Sequence, residues 1–313
     1  MQITANQKAR TMTMTSASTP TEPLPLAPPR RLGRWIIITL LLLMGGLVAQ
    51  SLVSNPRFGW PVVAEFFFDE RILKGLGNTF MLTVVSMFIG VVLGGVLGIM
   101  TLSPSRIISG AAGAYIWFFR GTPVFVQLLF WGSISALYPV ISLGIPFGPQ
   151  WFEMSANSLI TPIVAAILGL GLNEAAYMAE IVRASIKSVD NGVREAAQAL
   201  GMGRFLTLRR IVLPLAMPVL IPPTGNQVIG MLKTSSLVAV LAFPELLYSA
   251  QLIYSVNYQT IPLLITASLW YLLVTTVLTI GQYFLERHYG RSLSAIQPRK
   301  KTLTRLSRNG ESA

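Results

Sequence analysis

The residues best placed for chemistry are the few polar and ionisable ones set inside long apolar stretches. Asn173, Glu174, Tyr177 and Glu180 interrupt the apolar run of residues 159–182, and the last three recur at intervals of three, near one face of a helix. A carboxylate near the centre of a bilayer costs about 2.5–3.5 kcal/mol on insertion scales, so such groups face protein or a water-filled path. Asn173, Glu174 and Tyr177 are therefore candidates for a solute route or for polar packing between helices. Glu180 and Arg183 are spaced to pair with each other at the inner boundary. A second cluster, Lys233, Thr234, Ser235 and Ser236, offers one charge and several hydroxyls to a zwitterionic solute. Alternatively, Lys233 snorkels to the outer headgroups.

Other chemistries are poorly provided for. The chain has no cysteine, so it can form no disulfide, thiol nucleophile or cysteine metal site. Its single histidine, His288, sits in a basic segment, which leaves no histidine-based metal centre. Gly225 and Gly230 are spaced like the glycines of a phosphate loop, but Lys233 comes two residues too late and no strand precedes them. Gly169 and Gly171 lack the third glycine of a dinucleotide fingerprint. No catalytic set, metal site or nucleotide site of its own is expected. The net charge of +12 is dispersed over loops rather than gathered on one soluble domain, so it argues for topology signals and against a nucleic-acid partner.

The elements that must position these residues are membrane helices. Of the 313 residues, 52% are hydrophobic and 12% charged, outside the usual range of soluble domains. The composition implies an all-α, polytopic transmembrane bundle of about six spans. Residues 1–34, rich in Thr, Ser and Pro, read as a disordered, basic cytoplasmic tail. Residues 35–53 form an extra N-terminal transmembrane helix; the preceding tail is too long, and the apolar run too extended, for a cleaved signal peptide.

The second span, residues 79–101, aligns Gly90, Gly94 and Gly98 on one face for close helix packing. The third starts at Thr122 and Pro123, with Thr122 as its cap. Arg120 is an anchor at the cytoplasmic headgroups or, alternatively, part of a gate. Residues 138–157 form an outer loop. The fifth span, from Pro214, is interrupted by Pro218, Pro222, Pro223 and Gly225, since broken helices are tolerated where they line a cavity. A short outer helix over residues 244–258 and a last span over 261–285 lead to a basic cytoplasmic tail, residues 290–313.

With six spans, one side holds most of the Lys and Arg and the other only Arg57, Arg71 and Lys74. The positive-inside rule then puts both termini in the cytoplasm of a multi-pass cell-membrane protein.

Between two apolar segments on the positive side lies Glu195-Ala196-Ala197, then Gly201, then Ile211, Leu213 and Pro214. Asp190, Asn191 and Gly192 supply start signals for a helix through Leu200, with Glu195 early enough to meet the helix dipole. Gly201 suits a left-handed turn, and a second helix from Arg204 leads back to the membrane. This spacing resembles the coupling-loop motif of ABC importer permeases at all seven positions. Glu180-Ile181-Val182-Arg183, Arg120-Gly121-Thr122-Pro123 and Leu232 to Leu237 resemble the polar amino-acid branch of that family.

The likeness covers residues 75–289 and implies a permease domain with a methionine-importer-like fold and a cytoplasmic helix-turn-helix coupling loop. It further implies a dimer of separate ABC ATPase subunits holding ATP and Mg, a second permease chain, an extracytoplasmic solute-binding protein, and a polar amino-acid substrate. On this reading the chain is a transport subunit, not an enzyme. The alternative is an ion- or proton-coupled secondary carrier of small polar solutes, titrating Glu174 or Glu180.

Overall fold

The computed structural model of the chain describes residues 32–145 and 150–296. The expectations for the tails, residues 1–31 and 297–313, fall outside the described residues. Five helices among the described residues are long and apolar enough to cross a membrane. The first, α1 (Leu32–Ser54), belongs to a unit of its own and is apolar all round.

In the second unit, α2 (Trp60–Phe67) leads into α3 (Glu70–Met100). Asp69 caps α3, accepting from the Arg71 N–H at 2.9 Å. The Arg71 side chain beside it holds the Asp69 carboxyl below its ordinary range. Next come α4 (Arg106–Gly121), α5 (Val124–Gly132) and α6 (Ile134–Leu137). The expected outer loop contains an antiparallel hairpin, β1 (Val140–Gly144) and β2 (Gln150–Ser155), with Val140 opposite Ser155. Then follow α7 (Ala156–Leu159), α8 (Pro162–Lys187), α9 (Asn191–Ala199), α10 (Arg204–Thr207), α11 (Leu213–Thr234), α12 (Leu246–Asn257) and α13 (Thr260–Ile296).

Helices α3 and α8 form the central pair and run parallel. A Cβ built on Gly90 would meet Glu174, one on Gly94 would meet Met178 and Ala175, and one on Gly98 would meet Ala179 and Val182, all within 3.0 Å. The small-residue stripe therefore brings two backbones of the same chain together, where lipid offers no hydrophobic drive and close contact supplies the attraction.

Depth along this pair corrects the third span. Ala112 and Ile116 of α4 pack with Leu97, Ala175 and Ala179 towards the C-terminal end of the pair. Tyr115 donates to the Leu172 carbonyl at 2.9 Å, so α4 climbs against α8 only as far as its middle. Leu128 of α5 then meets Gly169 further out. The third crossing is thus two helices broken at Thr122–Pro123. Arg120 lies beside Tyr177 at mid-span, not at the headgroups: its guanidinium carbon is 5.4 Å from the Tyr177 ring centroid. Thr122 does not cap α5; it closes α4, donating to the Phe118 carbonyl at 3.0 Å.

The fifth span is corrected in the opposite sense, because α11 remains one helix through Pro218, Pro222 and Pro223. Each proline removes a donor, which takes the intrahelical partner from the carbonyls of Pro214, Pro218 and Val219; side chains bond other carbonyls of the same stretch. Gln282 of α13 donates to the Pro222 carbonyl at 3.2 Å, and Thr224 to that of Leu220 at 2.8 Å.

At the other end, the fully buried Glu245 caps α12. It accepts from the N–H groups of Leu247 and Tyr248 at 2.9 and 2.7 Å and from the Tyr271 hydroxyl at 2.9 Å, tying α12 to α13.

Candidate functional site

Midway along α8, against the C-terminal third of α11, lies a cavity of about 210 Å³. Of the residues singled out from sequence, Asn173, Glu174, Tyr177 and Thr234 line it. Gln227, which the sequence reading passed over, lines it too, and its side-chain N–H donates to Glu174 Oε1 at 3.1 Å. Glu174 is only 6% exposed, and the glycine at position 90 makes room for its stem. The carboxylate retains unused acceptor capacity beside an amide that can turn to either donor or acceptor, which suits a small polar solute.

The remaining members of the second cluster are not brought here. Lys233 is exposed on this chain, Ser235 is buried and donates to the Leu232 carbonyl at 2.7 Å, and Ser236 donates to the Lys233 carbonyl at 2.7 Å. Both serines thus satisfy their own helix. Glu180 and Arg183 pair as expected, at 2.5 Å, one turn below the cavity.

The break between α4 and α5 is fastened to the cavity wall by side-chain amides. Gln127, buried on α5, donates to the carbonyls of Phe119 and Thr122 at 3.0 and 3.1 Å and to the Thr122 hydroxyl at 2.7 Å. Asn173 of α8 donates to the same Phe119 carbonyl at 2.8 Å. Carbonyls freed at the end of α4 are thereby satisfied at membrane depth, as they must be. A glutamine in an otherwise apolar stretch, four residues after an X-Pro step, is the signal that would have found Gln127.

Beyond the C-terminal end of α8, α9 is capped by Asp190, which accepts from the Gly192 N–H at 3.1 Å. Its far end is a Schellman turn: Met202 N–H bonds the Ala197 carbonyl, Gly201 N–H bonds that of Gln198, and Gly201 has φ +76°. Only glycine takes that conformation without strain. Glu195 is the fifth residue of α9, beyond the first turn, so the expected dipole contribution is absent.

A π-helical turn, Leu208–Val212, joins α10 to α11, with the Leu213 N–H reaching the Leu208 carbonyl. It places Ile211, Leu213 and Pro214 at the root of α11, while Val212 packs with Val182 and Ile186 of α8. Ala197 faces inward, whereas Glu195, Ala196 and Gly201 stay exposed, as do Leu200 at 82% and Phe205 at 74%. Two bulky apolar side chains standing off a polar elbow mark a contact surface.

Against known proteins, the chain is 42% identical over 271 residues to the arginine transport system permease protein ArgU of Corynebacterium glutamicum, covering 86% of this chain and 84% of that one. To the glutamine transport system permease protein GlnP of Escherichia coli K12 it is 32% identical, over 73% of this chain and 94% of that one. Among solved structures, an amino acid ABC transporter with histidines matches at TM-score 0.61 and 31% identity, covering 72% of this chain and 97% of that one. The methionine transporter MetNI, at 18% identity and TM-score 0.58, shares the fold. The sequence profile of binding-protein-dependent transport system inner membrane components matches residues 86–291. With its elbow, its parallel glycine-seamed helices and that match, the chain belongs to the family of binding-protein-dependent transport system inner membrane components.

Proposed function

We propose that this chain carries polar amino acids across the membrane and takes its power from a pair of separate ATPase subunits that bind ATP and Mg. The observation that carries this reading is the mechanical continuity between elbow and cavity. Asn173, Glu174 and Tyr177 stand on α8, and Gln227 and Thr234 on α11; the elbow of α9 and α10 joins the inner ends of those two helices. A force on the elbow therefore moves both cavity walls, and a second permease chain supplies the opposite side. Two such states, one open to each face, are what transport requires.

The elbow and both termini lie in the cytoplasm on this reading, with residues 1–34 and 290–313 as tails, residues 35–53 as an added membrane anchor and residues 75–289 as the transport domain. An extracytoplasmic solute-binding protein delivers the substrate. Glu174 in the cavity and the likeness to an arginine permease both favour an amino acid with a cationic side chain. A proton-driven carrier is less well supported, because Glu180 is committed to Arg183.

The test is ATP hydrolysis by the assembled importer. Glu195→Trp or Gly201→Val is expected to leave the chain inserted and to abolish stimulation by the loaded binding protein. Normal stimulation in both variants would remove the coupling role.

A further inference from the structure

We propose that the large cavity between the elbow and the inner ends of the membrane helices is a binding site for an anionic phospholipid. The cavity measures about 650 Å³, within the roughly 300–1,000 Å³ of ligand sites. Its wall is apolar: Ile99 and Leu102 from the end of α3 and the turn after it, Ile108 from α4, Ile186 from α8 and Val212 above α10. Ile99, Ile107 and Ile108 are also exposed, so the wall continues onto the surface that meets acyl chains. Arg194 and Arg204 give the lining its positive charge, with Gln198 also in it; no carboxylate lines the cavity.

Arg194 supplies the independent sign of a missing ligand. One terminal N–H donates to the Ile186 carbonyl, while Nε is buried with no acceptor among the described residues. A buried donor left unmatched is costly, and a phosphate oxygen held in the cavity beside Arg194 would satisfy it. The planar fork of a guanidinium fits phosphate geometry. An acyl chain against the isoleucines and a phosphodiester at the arginines make one amphipathic ligand, at the level where basic pockets between membrane helices meet anionic headgroups. The lipid would act as a wedge between elbow and bundle, stiffening the joint through which force passes.

The experiment uses the full-length chain purified with its importer partners and stripped of lipid. Phosphatidylglycerol or phosphatidylcholine is added back, and retention is read by native mass spectrometry. One phosphatidylglycerol per permease chain is expected, with little phosphatidylcholine and no competition from inorganic phosphate. Arg204→Gln should weaken retention about fivefold, as for one lost surface charge contact. Ile108→Trp, which fills the cavity and keeps both arginines, should abolish it; gel filtration checks that both variants remain monodisperse.

Equal retention of the two lipids, or unchanged retention in both variants, would overturn the site. So would crosslinking of an ATPase or tail residue, instead of lipid, to a photoreactive residue replacing Leu102.

Discussion

Glu174 carries the sharpest consequence at the scale of single residues. It is buried at mid-membrane, its stem fills the space left by Gly90, and its only partner among the described residues is the amide of Gln227. Glu174→Gln preserves shape and an acceptor for Gln227, removing the charge and turning the second oxygen into a donor. Melting of the purified protein should be unchanged, while uptake of a cationic amino acid should fall about tenfold or more, the equivalent of one charge-assisted hydrogen bond. Equal loss for cationic and neutral substrates would make Glu174 a packing group instead. Glu174 stood out in sequence because a carboxylate in an apolar run needs a reason. Gln227 did not, because an uncharged amide in a helix rich in proline carries no such contrast.

Between elements, two seams bear the load. At the α3–α8 seam, a Cβ on Gly94 would come within 2.7 Å of the Ala175 carbonyl oxygen and 3.0 Å of the Ala179 nitrogen, and backbone cannot step aside as a side chain can. Gly95 next to it has nothing within 4 Å. Gly94→Ala should therefore destabilise by about 1–3 kcal/mol, whereas Gly95→Ala should be neutral or better; thermal melting in one detergent compares them directly. At the α4–α5 break, Gln127→Leu keeps volume and removes the glutamine's bonds to Phe119 and Thr122, leaving only that of Asn173 to Phe119. Faster amide exchange over residues 121–124, with exchange in α9 unchanged, is the expected sign that the glutamine holds the break.

The glycine stripe was legible because spacing alone puts it on one face. The broken crossing was not. A proline after Arg-Gly-Thr is equally compatible with a helix start at the headgroups, and its depth is fixed by tertiary contacts along α8, such as Tyr115 with Leu172 and Phe119 with Asn173. The prolines of α11 misled in the opposite direction, since local propensity says nothing of the packing against α8 and α13 that surrounds the helix.

For the whole molecule, composition and charge already imply a helical membrane bundle, and the elbow keeps the form its caps and glycine suggest. The hairpin of β1 and β2 escaped notice because residues 138–157 mix glycine and proline with apolar residues in no clean alternation. Orientation rests on charge asymmetry alone, so it needs a test that reads both faces at once. The absence of native cysteine makes each introduced thiol unique. Ser142→Cys, exposed on β1, should react with an impermeant maleimide in intact cells, and Lys187→Cys, at the inner end of α8, only in inside-out vesicles. Leu200→Cys adds the partner to the same measurement. On the chain alone it is 82% exposed and should label freely in inside-out vesicles, but the ATPase should protect it, since a leucine and a phenylalanine standing clear of a polar turn gain most by being covered. Labelling of Lys187→Cys in intact cells would invert the topology and leave the elbow out of reach of any cytoplasmic motor. Unprotected Leu200→Cys in the assembled complex would keep the topology and move the motor's grip elsewhere.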